Sequence, residues 1–351
     1  MSDGIFKAEF DAKSFANALE TEWNKYVKEI EEDSLFPWYK KCLSWNWANI
    51  RIHDMGVKFM NVIYTDPLTG KKGYPIIKFR NEISSCMVMA NTDEGISEQS
   101  ALSKGGNKYE RKFTKRTYDP AFQFNKWKVP VQTGDNNEIK KDDDGNPIYP
   151  SDEHLSEVFR VLDYYNRAFD TEIENAKNEG KLISKGRQEK GVILCKNPQI
   201  KFSIQNVVSD NAKEGAGKIL LNPISRVSIK FNDAGNTLCK FYDKSTKYDD
   251  NKFEPYVIDG KSINADNIHK LIIPYIIVDG KFELTYVAFS GMGISTPVKV
   301  SMAVIKMPDL YKNSLDTLYD ESDNKVEVKT GSVTVVSTED YDNMLNNINI
   351  N

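Results

Sequence analysis

Residues 271–307 read LIIPYIIVDGKFELTYVAFSGMGISTPVKVSMAVIKM. Leu271–Val278, Phe282–Ser290 and Val298–Lys306 are dense in β-branched and aromatic side chains and lack a helical period, so each reads as a strand. Asp279-Gly280, between the first two, is a two-residue hairpin signal. Gly291-Met292-Gly293 reads as a bend inside a strand pair. Strand-like character extends back to Gly191 through Val192–Leu194, Ile200–Val208, Ile224–Phe231 and Thr237–Phe241, with turn signals at Asp233–Asn236 and Asp259-Gly260. Further upstream, Val57–Tyr64 and Tyr74–Phe79 flank DPLTGKKG as a hairpin, Cys86–Met89 is a third short strand, and Ala121–Val131 is another extended piece.

Helical spacing occurs in three places. Residues 14–32 carry Phe15, Leu19, Trp23, Val27 and Ile30 about four apart, with Ser14 as the expected cap. A short helical piece follows Pro37. The longest pattern spans 151–180, where Leu155, Val158, Phe159, Leu162, Tyr165, Phe169, Ile173 and Ala176 form one stripe, Ser151 and Asp152 are cap candidates and Gly180 ends the run. Short strands around one long helix, without the strand–helix alternation of parallel sheets, predict an α+β, mainly β chain built on an antiparallel barrel. The expected organisation is a helical extension over 1–50, a core over 51–308 with the 151–180 helix inserted, and an acidic, flexible tail over 309–351.

At 351 residues the chain is long enough for a sizeable core. Its 47 Lys and Arg against 51 Asp and Glu leave a formal charge of −4, which at first sight counts against a nucleic-acid partner. No apolar run approaches the roughly 18 residues of a membrane span, and MSDGIFKAEF has no signal-peptide pattern. Cys42, Cys86, Cys195 and Cys239 form no CxxC pair and the three His are scattered, so buried free thiols are expected, with no metal site. With 39 Lys, 8 Arg, 31 Asn and 30 Ile the composition hints at an AT-rich genome.

Enzyme motifs fail one by one. Gly215-Ala216-Gly217-Lys218 has Ala212 five residues before Gly217 and Ile219 where a P-loop needs Ser or Thr. Asp142-Asp143-Asp144-Gly145 lacks the spacing of a cation loop. No GxSxG or cysteine-nucleophile signature is present, and His269 stands without partners for catalysis.

Segment 104–128, KGGNKYERKFTKRTYDPAFQFNKWK, is different. Eight bases (Lys104, Lys108, Arg111, Lys112, Lys115, Arg116, Lys126, Lys128) against Glu110 and Asp119 give it +6, and Tyr109, Phe113, Tyr118, Phe122, Phe124 and Trp127 are interleaved with them. Cations that track phosphates, together with π-faces that stack on unpaired bases, are what a single strand requires. Phe122 and Phe124 have two readings, as stackers or as the core-facing residues of a strand. A second stretch, 181–201, has six bases, including Lys185, Arg187 and Lys190, against Glu189, or +5. Residues 309–351 hold nine acids and three lysines, or −6, so the total charge conceals strong segregation.

DPAFQFNKWKV (119–129), EIKKDDDGNPIYPSDE (138–153), NPISRVSIKF (222–231), NADNIHKLI (264–272) and GMGISTPVKVSMAVIKM (291–307) resemble blocks of the single-stranded DNA-binding proteins of nucleocytoplasmic large DNA viruses, including the African swine fever virus member. They stand in the family order and cover more than half of the chain. The resemblance implies an OB-fold core, distantly similar to podophage single-stranded DNA-binding proteins, without catalysis or cofactor. It implies a role in viral DNA replication, recombination and repair in the host cytoplasm, alongside viral replication proteins such as the DNA polymerase. Self-association stays open, and a self-assembling virion or scaffold protein is the competing reading. Within the single-strand-binding reading, Lys108, Arg111, Lys112, Lys115, Arg116, Lys126 and Lys128 are expected on phosphates, and Tyr109, Phe113, Tyr118 and Trp127 on bases. Lys185, Arg187, Lys190 and Arg226 form the second wall. Podophage relatives end in an acidic tail closed by an aromatic residue, whereas this chain ends NNININ, with Tyr341 ten positions earlier.

Overall fold

The computed structural model describes residues 5–29, 37–52, 57–87, 120–128, 142–143, 148, 151–183, 193–194, 199–205, 223–232, 234–249, 252–265, 267–268, 276–290 and 293–306. The segments 88–119, 184–192 and 307–351 lie outside them. With them lie most of the loop residues singled out above, the P-loop-like glycines, His269 and the acidic tail.

The architecture is mainly β, with a closed five-stranded barrel and two α-helices among the described residues. The barrel strands in chain order are β1 (Lys72–Met87), β2 (Ala121–Asn125), β3 (Ile224–Ser228), β4 (Ile276–Glu283) and β5 (Lys299–Lys306). β1 pairs antiparallel with β2 and with β4, β2 with β3, and β4 with β5. The ring closes between β3 and β5, which run parallel and meet at the single register pair Ser228↔Lys299. Inward positions alternate as a pleat requires: Ile276, Val278 and Phe282 from β4, Val227 from β3, and Phe122 and Phe124 from β2 are all fully buried. Phe124 packs edge-on against Phe79 at 5.6 Å, and Phe79 lies 5.9 Å from Phe282. The alternatives for Phe122 and Phe124 are thereby settled in favour of the core.

Asp279-Gly280 is not a turn. β4 runs straight through both residues, and the chain breaks later, at Leu284-Thr285. Gly280 is needed because a Cβ there would stand 2.5 Å from the Met302 carbonyl oxygen and 2.8 Å from Phe79 Cζ. Asp279 is needed because its Oδ1 accepts the Asn81 N–H at 2.7 Å. Asn81 has φ 51°, a left-handed conformation that Asn tolerates, and it kinks β1. The 74–79 and 86–89 pieces are accordingly one kinked 16-residue strand up to Met87. Asp259-Gly260, by contrast, does turn, with φ values of 50° and 70° between Val257–Ile258 and Lys261–Ser262.

Outside the ring, strand Lys58–Thr65 leads into β1 through the Asp66–Lys71 turn and pairs with Leu43–Trp45, Arg51–Ile52 and Tyr286–Ser290. Strand Lys7–Asp11 lies parallel to β1. Helix α1 (Ala12–Glu29) starts two residues earlier than its periodicity suggests, and its cap is Asp11, whose Oδ1 accepts the Ser14 N–H at 3.0 Å. Helix α2 (Glu157–Asn178) is capped by Ser156, which accepts the Phe159 N–H, and not by Ser151 or Asp152, which fall in or before a 3-10 turn. α1 packs on α2, and Arg160 and Tyr164 of α2 both reach Glu20 of α1, at 2.6 and 2.7 Å. Phe10, Phe15, Leu19, Trp38 and Leu43 from the first fifty residues belong to the same core as the barrel. Cys42 and Cys239 are buried free thiols; burial pushes Cys42 up to about 12 and raises Cys239 further. No described helix is long and apolar enough to cross a membrane.

Candidate nucleic-acid interface

β2 and β3 form a short ladder whose outward row has Gln123, 5% exposed, and Arg226 at its centre, between the Ala121–Ser228 and Asn125–Ile224 pairs. Gln123 stands opposite Arg226 in the register. With the Gln123 amide oxygen turned toward the guanidinium, it accepts from Arg226 Nε at 3.0 Å and Nη2 at 3.2 Å. The Arg226 N–H donates to the Ser203 carbonyl at 3.0 Å, so a further strip, Ile204–Gln205, extends the sheet beside β3. Arg226 is held flat against the sheet by a neutral amide, and no ion pair among the described residues involves it.

At the end of β2 the chain turns into the Lys126–Lys128 segment, which is clamped to the approach to α2. The Lys128 N–H donates to the His154 carbonyl, the Ser156 N–H donates to the Lys126 carbonyl, and Trp127 bridges to Leu155. Trp127 is 7% exposed and carries the Lys126 ammonium 4.4 Å from its ring centroid. In this conformation its faces pack rather than lie open to a base. Lys128 is turned inward: its Nζ lies 3.3 Å from Oε1 of Glu82, a wholly buried carboxylate on β1. The same oxygen accepts the Glu157 N–H at 2.8 Å, at the positive end of α2. Burial raises the Glu82 pKa, and Lys128, Ser156 and the Glu157 N–H pull against that rise. Nothing in the local sequence marks Glu82, since a lone Glu in a strand ordinarily faces water.

Of the fifteen residues singled out by sequence, Lys126, Trp127, Lys128 and Arg226 fall within the described residues. Lys108, Tyr109, Arg111, Lys112, Phe113, Lys115, Arg116, Tyr118, Lys185, Arg187 and Lys190 lie outside them. Their anchor points are nonetheless set. The basic, aromatic segment belongs to the connection from the end of β1 to the start of β2, whereas Lys126 follows the other end of β2. The 184–192 segment lies in the β2–β3 connection, leaving Leu182–Ile183 and returning at Ile193–Leu194, which pair in parallel. The first basic stretch is therefore tethered where β2 begins, and the second at the Leu182–Ile183/Ile193–Leu194 pair, which follows the C-terminal end of α2.

These features define a mainly β, α+β barrel protein that carries Arg226 on the outer side of its β2–β3 ladder. The chain belongs to the family of the African swine fever virus protein CP312R. It is 31% identical to that uncharacterized protein from a warthog isolate from Namibia over 295 residues, covering 80% of this chain and 86% of the relative. For a pig isolate from Kenya the identity is 31% over 308 residues, 83% and 92% of the two chains. For the Badajoz strain it is 30% over 280 residues, 77% and 82%. No protein-family profile matches the chain.

Proposed function

We propose that this protein is an OB-fold, sequence-nonspecific single-stranded DNA-binding protein that acts in viral DNA replication, recombination and repair. The observation that carries the reading is the ring order β1–β2–β3–β5–β4 with β3 and β5 parallel, combined with the position of residues 104–120, six bases against two acids, in the β1–β2 connection. That order is consistent with an OB barrel and supports the reading, and in OB barrels oligonucleotides lie across strands 2 and 3 between the first–second and fourth–fifth connections.

In this reading, Lys108, Arg111, Lys112, Lys115 and Arg116 hold phosphates from the β1–β2 connection, and Lys185, Arg187 and Lys190 form the second cationic wall. Arg226 contacts the backbone on the β2–β3 face. Tyr109, Phe113 and Tyr118 supply base stacking, each stack being worth about 1–3 kcal/mol. Phosphate contact and stacking both ignore base identity, which is why the binding is nonspecific. No catalysis or cofactor enters the reading. It places the protein in the host cytoplasm with the viral replication machinery, the DNA polymerase among its candidate partners.

Titration of fluorescently labelled homopolymer oligonucleotides of increasing length against the full chain tests it. Affinity should climb with length and level off once the site is filled, within the range of about 4–16 nucleotides seen per OB unit. A self-assembling virion or scaffold protein would show no affinity at any length.

A further inference from the structure

A second cationic and aromatic surface is assembled from three segments far apart in sequence. Arg51 stands opposite Phe59 in the strand register, and Phe59 meets Tyr286 edge-on with centroids 5.2 Å apart. Lys299 Nζ lies 5.1 Å from the Tyr286 ring centroid, and Lys299 is the residue that closes the barrel against Ser228. Because side chains two apart share a face of a strand, Arg226 and Ser228 lie on one side of β3, and their in-register partner Lys299 projects to that same side. The sequence Arg226, Lys299, Tyr286, Phe59, Arg51 is thus a continuous track. It begins on the β2–β3 face, passes over the β3–β5 seam and reaches the hairpin of the β4–β5 connection.

Its electrostatics are mainly positive. Residues 55–65, 223–232 and 284–308 contain no Asp or Glu. The acid beside it is Glu283, which stands opposite Lys299 in the antiparallel ladder and whose carboxylate is engaged by Lys7 at 2.8 Å. Among the described residues no ion pair involves Arg51, Arg226 or Lys299. A cation poised over an aromatic ring beside further unpaired cations fits a chain of alternating phosphates and flat bases. An apolar or acidic protein partner would match one half of that pattern and not the other.

We infer that Arg51, Phe59, Tyr286 and Lys299 form a second contact surface for single-stranded DNA, continuing the path from Arg226 over the seam of the barrel. The inference rests on the proposed single-strand binding and extends it: past the barrel seam at Lys299, the strand continues onto the sheet that the β4–β5 hairpin forms with Lys58–Thr65 and Arg51–Ile52. Lys299 and Arg51 take phosphates, and Tyr286, with Phe59 supporting its edge, takes a base.

The test uses the full chain, labelled oligo(dT) and a salt series. Arg51→Glu combined with Lys299→Glu should weaken binding at least tenfold and lower the steepness of log K against log salt by about 1.4, at about 0.7 per lost phosphate contact. Tyr286→Ala should weaken binding roughly 5- to 100-fold with little change in that slope, and Tyr286→Phe should restore it. Lys261→Glu, on the separate 257–262 hairpin, should change nothing. Since Tyr286 is half-buried, photocrosslinking of the unsubstituted protein to iododeoxyuridine oligonucleotides provides a second readout, with adducts expected on Tyr286 or Phe59. Wild-type affinity and slope in the charge-reversed variant, with no adduct on either ring, overturns the inference while leaving the proposed function standing. A wild-type chain without single-strand affinity overturns both.

Discussion

Lys128 Nζ stands 3.3 Å from Oε1 of Glu82, and Glu82 has no solvent exposure. Removing a carboxylate from water penalises its charged form, and here burial outweighs the lysine and the helix end, raising the Glu82 pKa above its ordinary 4.5. An acid raised in the folded state binds more protons folded than unfolded. Its contribution to stability is therefore full below about pH 4.5 and is lost as pH rises through the folded value. Glu82→Gln retains an acceptor for the Glu157 N–H but cannot titrate. Urea denaturation between pH 4.5 and 8 should show wild-type stability falling relative to that variant as pH rises. Parallel profiles for the two proteins would contradict the assignment.

Gly280 and Gly260 should respond to alanine for different reasons. At Gly280 the new methyl meets the Met302 carbonyl and the Phe79 ring, so overpacking should cost about 1–3 kcal/mol. At Gly260 there is open space but φ is 70°, and the left-handed strain should cost about 1–2 kcal/mol. Replacing Phe79 by Leu together with Gly280→Ala should recover part of the first loss and none of the second, as read by chemical denaturation.

The start of α2 offers a cleaner pair. Ser156→Ala removes the acceptor of the Phe159 N–H inside the core and should cost about 0.5–2 kcal/mol. Ser151→Ala, at an exposed position before the 3-10 turn, should leave the unfolding midpoint unchanged.

These contrasts mark what the residues disclosed and what they concealed. The strand-rich second half, the 151–180 helix and the segregated charge were legible because periodicity and composition are local properties. Asp259-Gly260 and Asp279-Gly280 are the same dipeptide, yet one turns and the other lies in a strand. The difference resides in Phe79 and Asn81, some two hundred residues away, and no short window contains it. Trp127 read as an exposed ring, whereas its pairing with Leu155 across a long insertion closes it. Glu82 carried no signal, since its burial is created by α2 arriving over β1. The Arg51–Phe59–Tyr286–Lys299 surface has no sequence signature for the same reason: each segment contributes one cation or one ring, and only the sheet brings them together.

Core and interface on β2 and β3 should separate under mutation. Phe124→Ala empties a fully buried site beside Phe79 and should cost about 3–5 kcal/mol in stability. Arg226→Ala removes a surface cation held by Gln123 and should instead reduce the salt steepness of single-strand binding by about 0.7, with a small stability change. Thermal unfolding and binding titrations on both variants check the division.

The most direct measurement compares the full chain's affinity for a labelled single strand and for the duplex of the same sequence over a range of salt. The account predicts that the single strand binds more tightly at every salt concentration, with log K falling linearly as log salt rises and a preference for single strand that persists at high salt because stacking is unscreened. Equal affinity for strand and duplex, or no salt-dependent binding of either, would contradict it.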